Sequence, residues 1–235
     1  MANGQTTNGQ FELILGSGSP RRRELLARFV APELIRIVSV DLDEASLIAQ
    51  LISKTPNARF GLSSSWAARI AQQLAEAKMD ALDAAVADST PIDRVAVTAD
   101  TVVVLGDQIL GKPSGEEDAR AMLSQLAGRD HAVVTGLCVE ARIDGQTQRF
   151  MAAEMTTVTF ATLSDEKINW YLGTNEPFDK AGSYGIQGYG SALVKSINGC
   201  YYNVMGLPIF RLLDVFEQVQ DAFPSVRDQF KLLPW

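Results

Sequence analysis

The sequence predicts a mixed α/β fold, built as one unit with two lobes, and three patterns support this class. An apolar strand pattern over 11–15 is followed by a helix pattern and by a second strand pattern over 35–40. The alanine-rich segment 65–82 spaces its apolar residues as a helix does, with Ile70, Leu74 and Ala77 on one face, and the run 95–105 after it predicts buried strand. The segment 149–161 alternates polar and apolar residues, which is typical of an antiparallel strand. Strands connected by helices are typical of parallel pairing, and a strand that alternates polar and apolar residues is typical of antiparallel pairing. Together they indicate a mixed central sheet with flanking helices.

The elements follow one another with recognisable starts. Ser19 is a favourable N-cap and Pro20 a favourable first residue for the helix after the first strand, which we expect to continue to about Phe29. Ser114 and Glu117 have the spacing of a capping box, which predicts the start of another helix. After the first helix we predict a strand at 35–40 ending in the acidic run 41–44, a helix at 65–82 and a surface loop at 83–93. One or two strands at 95–105, broken at Ala99-Asp100, come next, and a helix at 114–126 and strands at 132–142 and 149–161 follow them. The last predicted elements are a helix at 164–172, a strand at 192–197 and a C-terminal helix that places Leu212, Val215, Phe216 and Val219 in the core.

Composition sets limits on the class of protein. The chain has 235 residues, of which 46% are hydrophobic and 21% charged, as in an ordinary globular protein. Its net charge of −7 argues against a general nucleic-acid binder. Cys138 and Cys200 lie far apart in sequence, so we expect two buried, reduced thiols. We expect residues 1–10 to be a disordered leader without a signal-peptide core and 11–235 a single domain, in a cytoplasmic protein without a membrane partner.

The turn into the first helix predicts an anion site. Arg21, Arg22 and Arg23 lie in the first helical turn, where the helix dipole already presents positive charge. Three cations there lower stability unless an anion binds among them, and free N–H groups at a helix start bind anions. We therefore predict a phosphate or polyphosphate site, with Arg23 as a surface cation. The pattern Gly16-x-Gly18 after a strand also occurs in dinucleotide-binding folds, but here Arg21 occupies the position of the third glycine of that motif. A P-loop fits less well, because no Gly-Lys-Ser/Thr follows the glycines.

Other candidate residues are carboxylates and lysines. Asp100 interrupts an apolar run, so it is either a strand-end carboxylate bonded to N–H groups or a general base or metal ligand. Glu44 offers a second hard oxygen for Mg²⁺ or Mn²⁺. Lys78, a lone lysine on a helix, would normally lie at the surface, whereas Lys112 is held between glycine and proline. His131 could act as a base, but its sequence neighbours include no apparent nucleophile.

Taken together, these residues resemble the Maf family of nucleoside triphosphate pyrophosphatases. The resemblance extends over about residues 11–220 and is carried by the blocks Ser17–Leu26, Ala99–Val103, Gly111–Pro113 with Ala121–Leu123, Gly128–Gly136, Glu176–Gly188, Asn198-Gly199 and Asn203–Pro208. It implies an α/β fold whose two lobes flank a cleft along a mixed sheet. It also implies hydrolysis of a nucleoside triphosphate to the monophosphate and pyrophosphate with a divalent cation such as Mg²⁺ or Mn²⁺, and it is compatible with a homodimer.

The resemblance assigns roles residue by residue. It implies Ser17, Arg21, Arg22 and Gln187 as substrate-binding residues, Asp100, Lys78 and Lys112 as catalytic residues, and Glu44 with Asp100 as metal ligands. The Gly-Ile-Gln-Gly ending is similar to the branch acting on dTTP and UTP, whereas the 7-methyl-GTP branch tends to carry Ser-Glu-Gly. An amide can both donate to and accept from a base edge, so Gln187 favours a pyrimidine. The same reaction on a modified purine nucleotide, and a nucleotide-sensing regulator of cell division without turnover, remain alternatives.

Overall fold

A computed structural model describes residues 12–54, 64–87 and 93–226. The strands are β1 Glu12–Leu15, β2 Ile35–Ile37, β3 Arg94–Leu105, β4 Gln108–Leu110, β5 Asp130–Ile143, β6 Gln146–Phe160 and β7 Val194–Asn198. The helices are α1 Pro20–Leu26, α2 Glu44–Ser53, α3 Ser64–Ala85, α4 Glu116–Leu126, α5 Asp165–Leu172, α6 Tyr201–Val204 and α7 Ile209–Ala222. The predicted leader, and residues 88–92 of the predicted loop, lie outside the described residues.

The strands form one mixed sheet, which confirms the predicted class. Its order is β2-β1-β3-β5-β6-β7, and β4 pairs with β3 beyond the end of β1. β1 is parallel to β2 and β3, and the remaining pairings are antiparallel. Helix α3 covers one face, and α1 and α7 pack on the other face with the first half of β3 and the second half of β5. Helices α4 and α5 pack with the second half of β3 and the first half of β5, so these two strands connect two apolar cores.

Strand β3 is continuous through Asp100, so the predicted break at Ala99-Asp100 is wrong. Its residues pair without interruption with β5, where Asp100 lies opposite Gly136. The other edge of β3 has a gap: β1 ends opposite Val97, and β4 begins to pair at Val103. Asp100 therefore lies in the middle of its own strand, rather than at a carboxyl end. It is nevertheless just beyond the carboxyl end of β1, where the unpaired edge leaves room for a cleft.

Helix α3 lies close against the sheet because a glycine faces it. A methyl group at Gly136 would overlap the backbone of Ala71. Of the three residues predicted to share one face of α3, Ile70 and Leu74 are buried and Ala77 is only partly buried. The buried stripe also includes Lys78, which is 8% exposed. The expectation that a lone lysine lies at the surface is therefore wrong here.

Several element boundaries differ from the sequence predictions. Helix α2 begins at Glu44, the last residue of the acidic run, and was not predicted; Asp43 caps it by accepting a hydrogen bond from Ser46 N at 3.0 Å. Helix α3 continues to Ala85, into the segment predicted as loop. Helix α4 begins after Gly115, while Ser114 hydrogen-bonds Asp118 instead of forming the predicted capping box. These differences leave the order of the predicted elements unchanged.

Other expectations about the fold can be compared directly. The four apolar residues named for the C-terminal helix are buried in the core, as predicted. Cys138 is buried, but Cys200 is partly exposed, so the expectation of two buried thiols is only half right. Within the described ranges, no helix is both long enough and apolar enough to cross a membrane.

Candidate active site

A cleft of about 700 Å³ opens at the gap in the β3 edge. The turn from β1 into α1 forms one wall, and the segment Glu176–Gly188 contributes to the opposite wall. The start of α2, the middle of β3 and the turn after β4 line the space between them. Each of the predicted catalytic, substrate-binding and metal-binding residues lines this cleft: Ser17, Arg21, Arg22, Glu44, Lys78, Asp100, Lys112 and Gln187.

Two carboxylates and two lysines form a hydrogen-bonded cluster in the cleft. Lys78 Nζ donates to Asp100 Oδ1 at 2.8 Å and to Glu44 Oε1 at 2.8 Å. Lys112 Nζ donates to Glu44 Oε2 at 3.2 Å. Asp100 is 5% exposed, and its partner is a cation on α3. Of the two readings of Asp100, the strand-end carboxylate bonded to backbone N–H groups is therefore not what the structure contains.

The cluster keeps Glu44 ionised. Burial by itself would raise the pKa of Glu44, but the nearby Lys78 and Lys112 outweigh it and lower that pKa below its ordinary value. A carboxylate that is charged at neutral pH is available to a cation. The two lysines can in turn place positive charge beside an anionic ligand.

Arg22 is fixed in the wall by three hydrogen bonds. Its Nε donates to the carbonyl of Gly206 at 2.7 Å, Nη2 donates to Thr101 Oγ1 at 3.0 Å, and Nη1 donates to Ser17 Oγ at 3.4 Å. Burial lowers the pKa of Arg22, while Asp100 and Glu44 act in the opposite direction. A guanidinium nevertheless stays protonated in proteins. The site therefore holds a rigid cation whose remaining N–H groups can face an anion.

The three arginines of α1 have different surroundings. Arg21 is half-buried and lines the cleft beside Arg22, whereas Arg23 is exposed and lies outside the cleft. This arrangement agrees with the prediction that Arg23 is a surface cation. Ser19 occupies the N-cap position of α1, but its side chain makes no capping bond; its N–H instead donates to Ser17 Oγ at 3.2 Å.

His131 does not belong to the site. It is 3% exposed, lies outside the cleft lining, and its Nε2 is 2.8 Å from Tyr184 Oη. Burial lowers the pKa of His131 to about 4, so the ring is neutral at neutral pH. The idea that it serves as a base in the site is therefore not supported.

Sequence reasoning missed residues that complete the cleft. Thr101 bonds Arg22, and Glu176, Asp179 and Lys180 lie in the wall that also carries Gln187. A polar residue directly after Asp100 in an apolar strand was the available signal for Thr101. The other three lie inside a block that carried the resemblance, but no pattern gave them individual roles.

The residues present fit a divalent cation. Glu44 and Asp100 supply hard carboxylate oxygens that share one lysine partner. Within the residues that the structure describes, no group of three or more His, Cys, Asp or Glu side chains could hold a metal ion. Mg²⁺ is usually bound by one or two carboxylates together with water and substrate phosphates. Two protein carboxylates in a cleft that Arg21 and Arg22 also line are consistent with that mode.

The fold and the site define an α/β protein with a cleft suited to a polyphosphate. A family model described as Maf-like protein matches residues 12–219. The chain is 43% identical over 206 residues to the dTTP/UTP pyrophosphatase of Pyrococcus furiosus, covering 88% of this chain and 94% of the relative. It is 42% identical over 207 residues to the dTTP/UTP pyrophosphatase of Bacillus cereus, with 88% and 95% covered. For the dTTP/UTP pyrophosphatase of Desulforamulus reducens, identity is 40% over 205 residues, with 86% and 93% covered. The chain belongs to the Maf-like protein family.

Proposed function

We propose that this protein hydrolyses nucleoside triphosphates, with dTTP and UTP as its preferred substrates, to the monophosphate and pyrophosphate. The observation that carries the proposal is the buried Asp100–Lys78 pair in the same cleft as Arg21 and Arg22. A carboxylate beside a polyanion site is what attack of water on phosphorus requires, because the water must be oriented and lose a proton. The names of the relatives support the same reaction and the same substrates.

Each cleft residue has a separate task in this proposal. Ser17, Arg21 and Arg22 bind the triphosphate, and Ser17 Oγ also accepts a hydrogen bond from Arg22. Asp100 orients or deprotonates the water that attacks the α-phosphorus in line with the leaving pyrophosphate. Lys78 and Lys112 stabilise the negative charge that develops on the leaving oxygens.

A divalent cation, Mg²⁺ or Mn²⁺, is part of the proposal. Glu44 and Asp100 would hold it, and when bound it would polarise a phosphoryl oxygen as a Lewis acid. We further propose that the substrate is met in the cytoplasm and that nucleic acid is not a partner, consistent with the net charge of −7. A homodimer stays a prediction, which sedimentation velocity would test.

The experiment is a panel of nucleotides with product identification. Purified protein with Mg²⁺ is incubated with dTTP, UTP and 7-methyl-GTP, and monophosphate and pyrophosphate are quantified. Pyrophosphate from dTTP and UTP, lost in Asp100→Asn, is the expected result. Preferential cleavage of 7-methyl-GTP would overturn the choice of substrate. Tight dTTP binding without pyrophosphate release over hours would overturn the enzymatic proposal in favour of a nucleotide sensor.

A further inference from the structure

The Glu176 carboxylate is bound by a glycine-rich loop in the cleft wall. Its Oε2 accepts a hydrogen bond from Tyr189 N at 2.8 Å, and its Oε1 accepts one from Gly190 N at 3.3 Å. Gly188 lies against the same carboxylate so closely that a methyl group there would overlap it. Backbone N–H groups need acceptors, and here the Glu176 carboxylate accepts the two hydrogen bonds that no backbone carbonyl of the loop accepts.

The other end of this loop is held through Tyr171. The Tyr171 hydroxyl donates to Glu176 Oε1 at 3.1 Å and accepts a hydrogen bond from Gly185 N at 3.1 Å. Burial raises the pKa of Tyr171, so the hydroxyl keeps the proton that it donates. The backbone of the loop 185–190 is thus fixed at both ends by one carboxylate and one hydroxyl.

Gln187 lies between these two fixed ends. Its side chain is exposed at the cleft, and it makes no hydrogen bond with the described parts of the chain. No neighbouring side chain therefore holds its amide in a fixed direction, and its position depends on the backbone on either side. That backbone is the part that Glu176 and Tyr171 bind.

We propose that Glu176 is a positioning residue for recognition of the nucleotide base. Its carboxylate, with the Tyr171 hydroxyl, fixes the loop 185–190 so that the Gln187 amide is presented to the base edge before substrate arrives. This inference rests on the proposed function, and on the role in pyrimidine recognition that the resemblance implies for Gln187. It predicts a loss of base binding that leaves the phosphate end of the cleft intact, because Arg22 and Asp100 are held by other contacts.

The test variant is Glu176→Gln, which keeps the size of the side chain. The glutamine side chain has an NH2 group in place of one carboxylate oxygen. An NH2 group is a donor, so it cannot accept a hydrogen bond from a backbone N–H group of the loop. We expect KM for dTTP to rise about tenfold or more and kcat to stay within about threefold of wild type. This is the pattern for loss of an interaction that binds the ground state and the transition state equally. Inhibition by inorganic triphosphate, which has no base, should stay within about twofold. Tyr171→Phe should shift KM in the same direction by a smaller factor.

A second background separates positioning from general damage to the fold. If Glu176 acts through Gln187, Glu176→Gln should raise KM little further in a Gln187→Ala protein. The control Glu217→Gln makes the same change at an exposed position of α7 and should leave both constants unchanged. Equal loss of kcat and of triphosphate binding in Glu176→Gln, or a full additional effect in the Gln187→Ala protein, would overturn the inference.

The outcomes distinguish this inference from the proposed function. Failure of wild-type protein to release pyrophosphate from dTTP would overturn the proposed function. The same variants are then compared by calorimetry for UTP binding, so that the role of Glu176 is still decided. Wild-type turnover together with an unchanged KM in both Glu176→Gln and Tyr171→Phe would overturn the inference alone.

Discussion

The Nζ atom of Lys78 lies 2.8 Å from Oδ1 of Asp100, and the two residues are 8% and 5% exposed. Removing two charges from water costs free energy, which their mutual attraction offsets only when further hydrogen bonds satisfy them. Lys78 finds that additional partner in Glu44. The pair is therefore better understood as a means of holding a charged carboxylate in the cleft than as a source of stability.

Removing the lysine alone should be more harmful than removing both charges. Lys78→Met leaves the Asp100 carboxylate buried without its cation, and we expect the free energy of unfolding to fall by about 3 kcal/mol. The double variant Lys78→Met/Asp100→Asn should recover much of that loss, because no unpaired charge remains. Urea unfolding of the single and double variants measures this coupling.

The control for that measurement is Lys195→Met, the same change at an exposed residue of β7. It should alter the free energy of unfolding by about 0.5 kcal/mol at most. Equal destabilisation by Lys78→Met and by the double variant would mean that the buried charge of Asp100 is not what makes the lysine necessary.

Asp100→Asn should abolish most turnover while preserving shape. The amide keeps the volume of the side chain but removes its charge and basicity, so we expect kcat for dTTP to fall about 100-fold or more. Pyrophosphate release gives the rate, and the far-UV circular dichroism spectrum checks that the variant is folded. Turnover near that of wild type would remove Asp100 from the role of base.

Arg22→Lys should weaken substrate binding despite keeping the charge. An ammonium cannot reproduce the three directed bonds to Gly206, Thr101 and Ser17, so the cation would lose its fixed position. We expect KM for dTTP to rise about tenfold, the size of one lost charge-assisted contact. Arg23→Lys is the matched control, and steady-state kinetics should show it unchanged. Equal effects of the two substitutions would contradict the proposal that Arg22 binds the triphosphate.

The parts of the fold that were predictable from sequence are those with local signals. Ser19-Pro20 after an apolar run indicated the start of α1, and the apolar spacing of Ile70 and Leu74 indicated the buried face of α3. The arginines after the small residues of the first turn likewise indicated a cationic segment from neighbouring residues, and Arg21 and Arg22 do line the cleft. In each case the residues that decide the structure are neighbours in the chain.

The parts that were missed depend on residues distant in sequence. Burial of Lys78 follows from Asp100, 22 positions away on another element, and nothing in the helix sequence announces that partner. Asp100 looked like a strand break because only the three-dimensional arrangement supplies its cation. The role of Glu176 likewise depends on backbone N–H groups 13 and 14 positions later. Local pattern reasoning cannot see such pairs.

Gly136→Ala should destabilise the protein through the packing of α3. The added methyl group would overlap the backbone of Ala71, which no side-chain rotation can relieve. We expect a loss of about 2 kcal/mol or more in the free energy of unfolding. Activity should fall too, because α3 carries Lys78 into the cleft. The matched change Gly115→Ala, where an added Cβ meets no atom within 4 Å, should cost less in a parallel urea titration. A Gly136→Ala protein as stable as wild type would contradict this close packing.

The buried ring of His131 should make stability depend on pH in a defined window. Burial lowers the pKa of His131 to about 4 in the folded protein, whereas a histidine in an unfolded chain has a pKa of about 6.5. Between these values the unfolded state binds more protons, so the contribution of the neutral ring is complete above about pH 6.5 and is lost as the pH falls towards 4. The expected slope from this residue is about 1.4 kcal/mol per pH unit.

His131→Gln isolates that contribution, because His131 is the only histidine in the chain. The glutamine amide can still reach a polar partner such as the Tyr184 hydroxyl, but it does not titrate in this range. Urea unfolding at pH 7, 6 and 5 should show a shallower decline for the variant than for wild type, even if the variant is less stable at pH 7. The carboxylates titrate in both proteins, so their effect cancels in the difference. Parallel curves for the two proteins would show that the ring is not held neutral in the folded state.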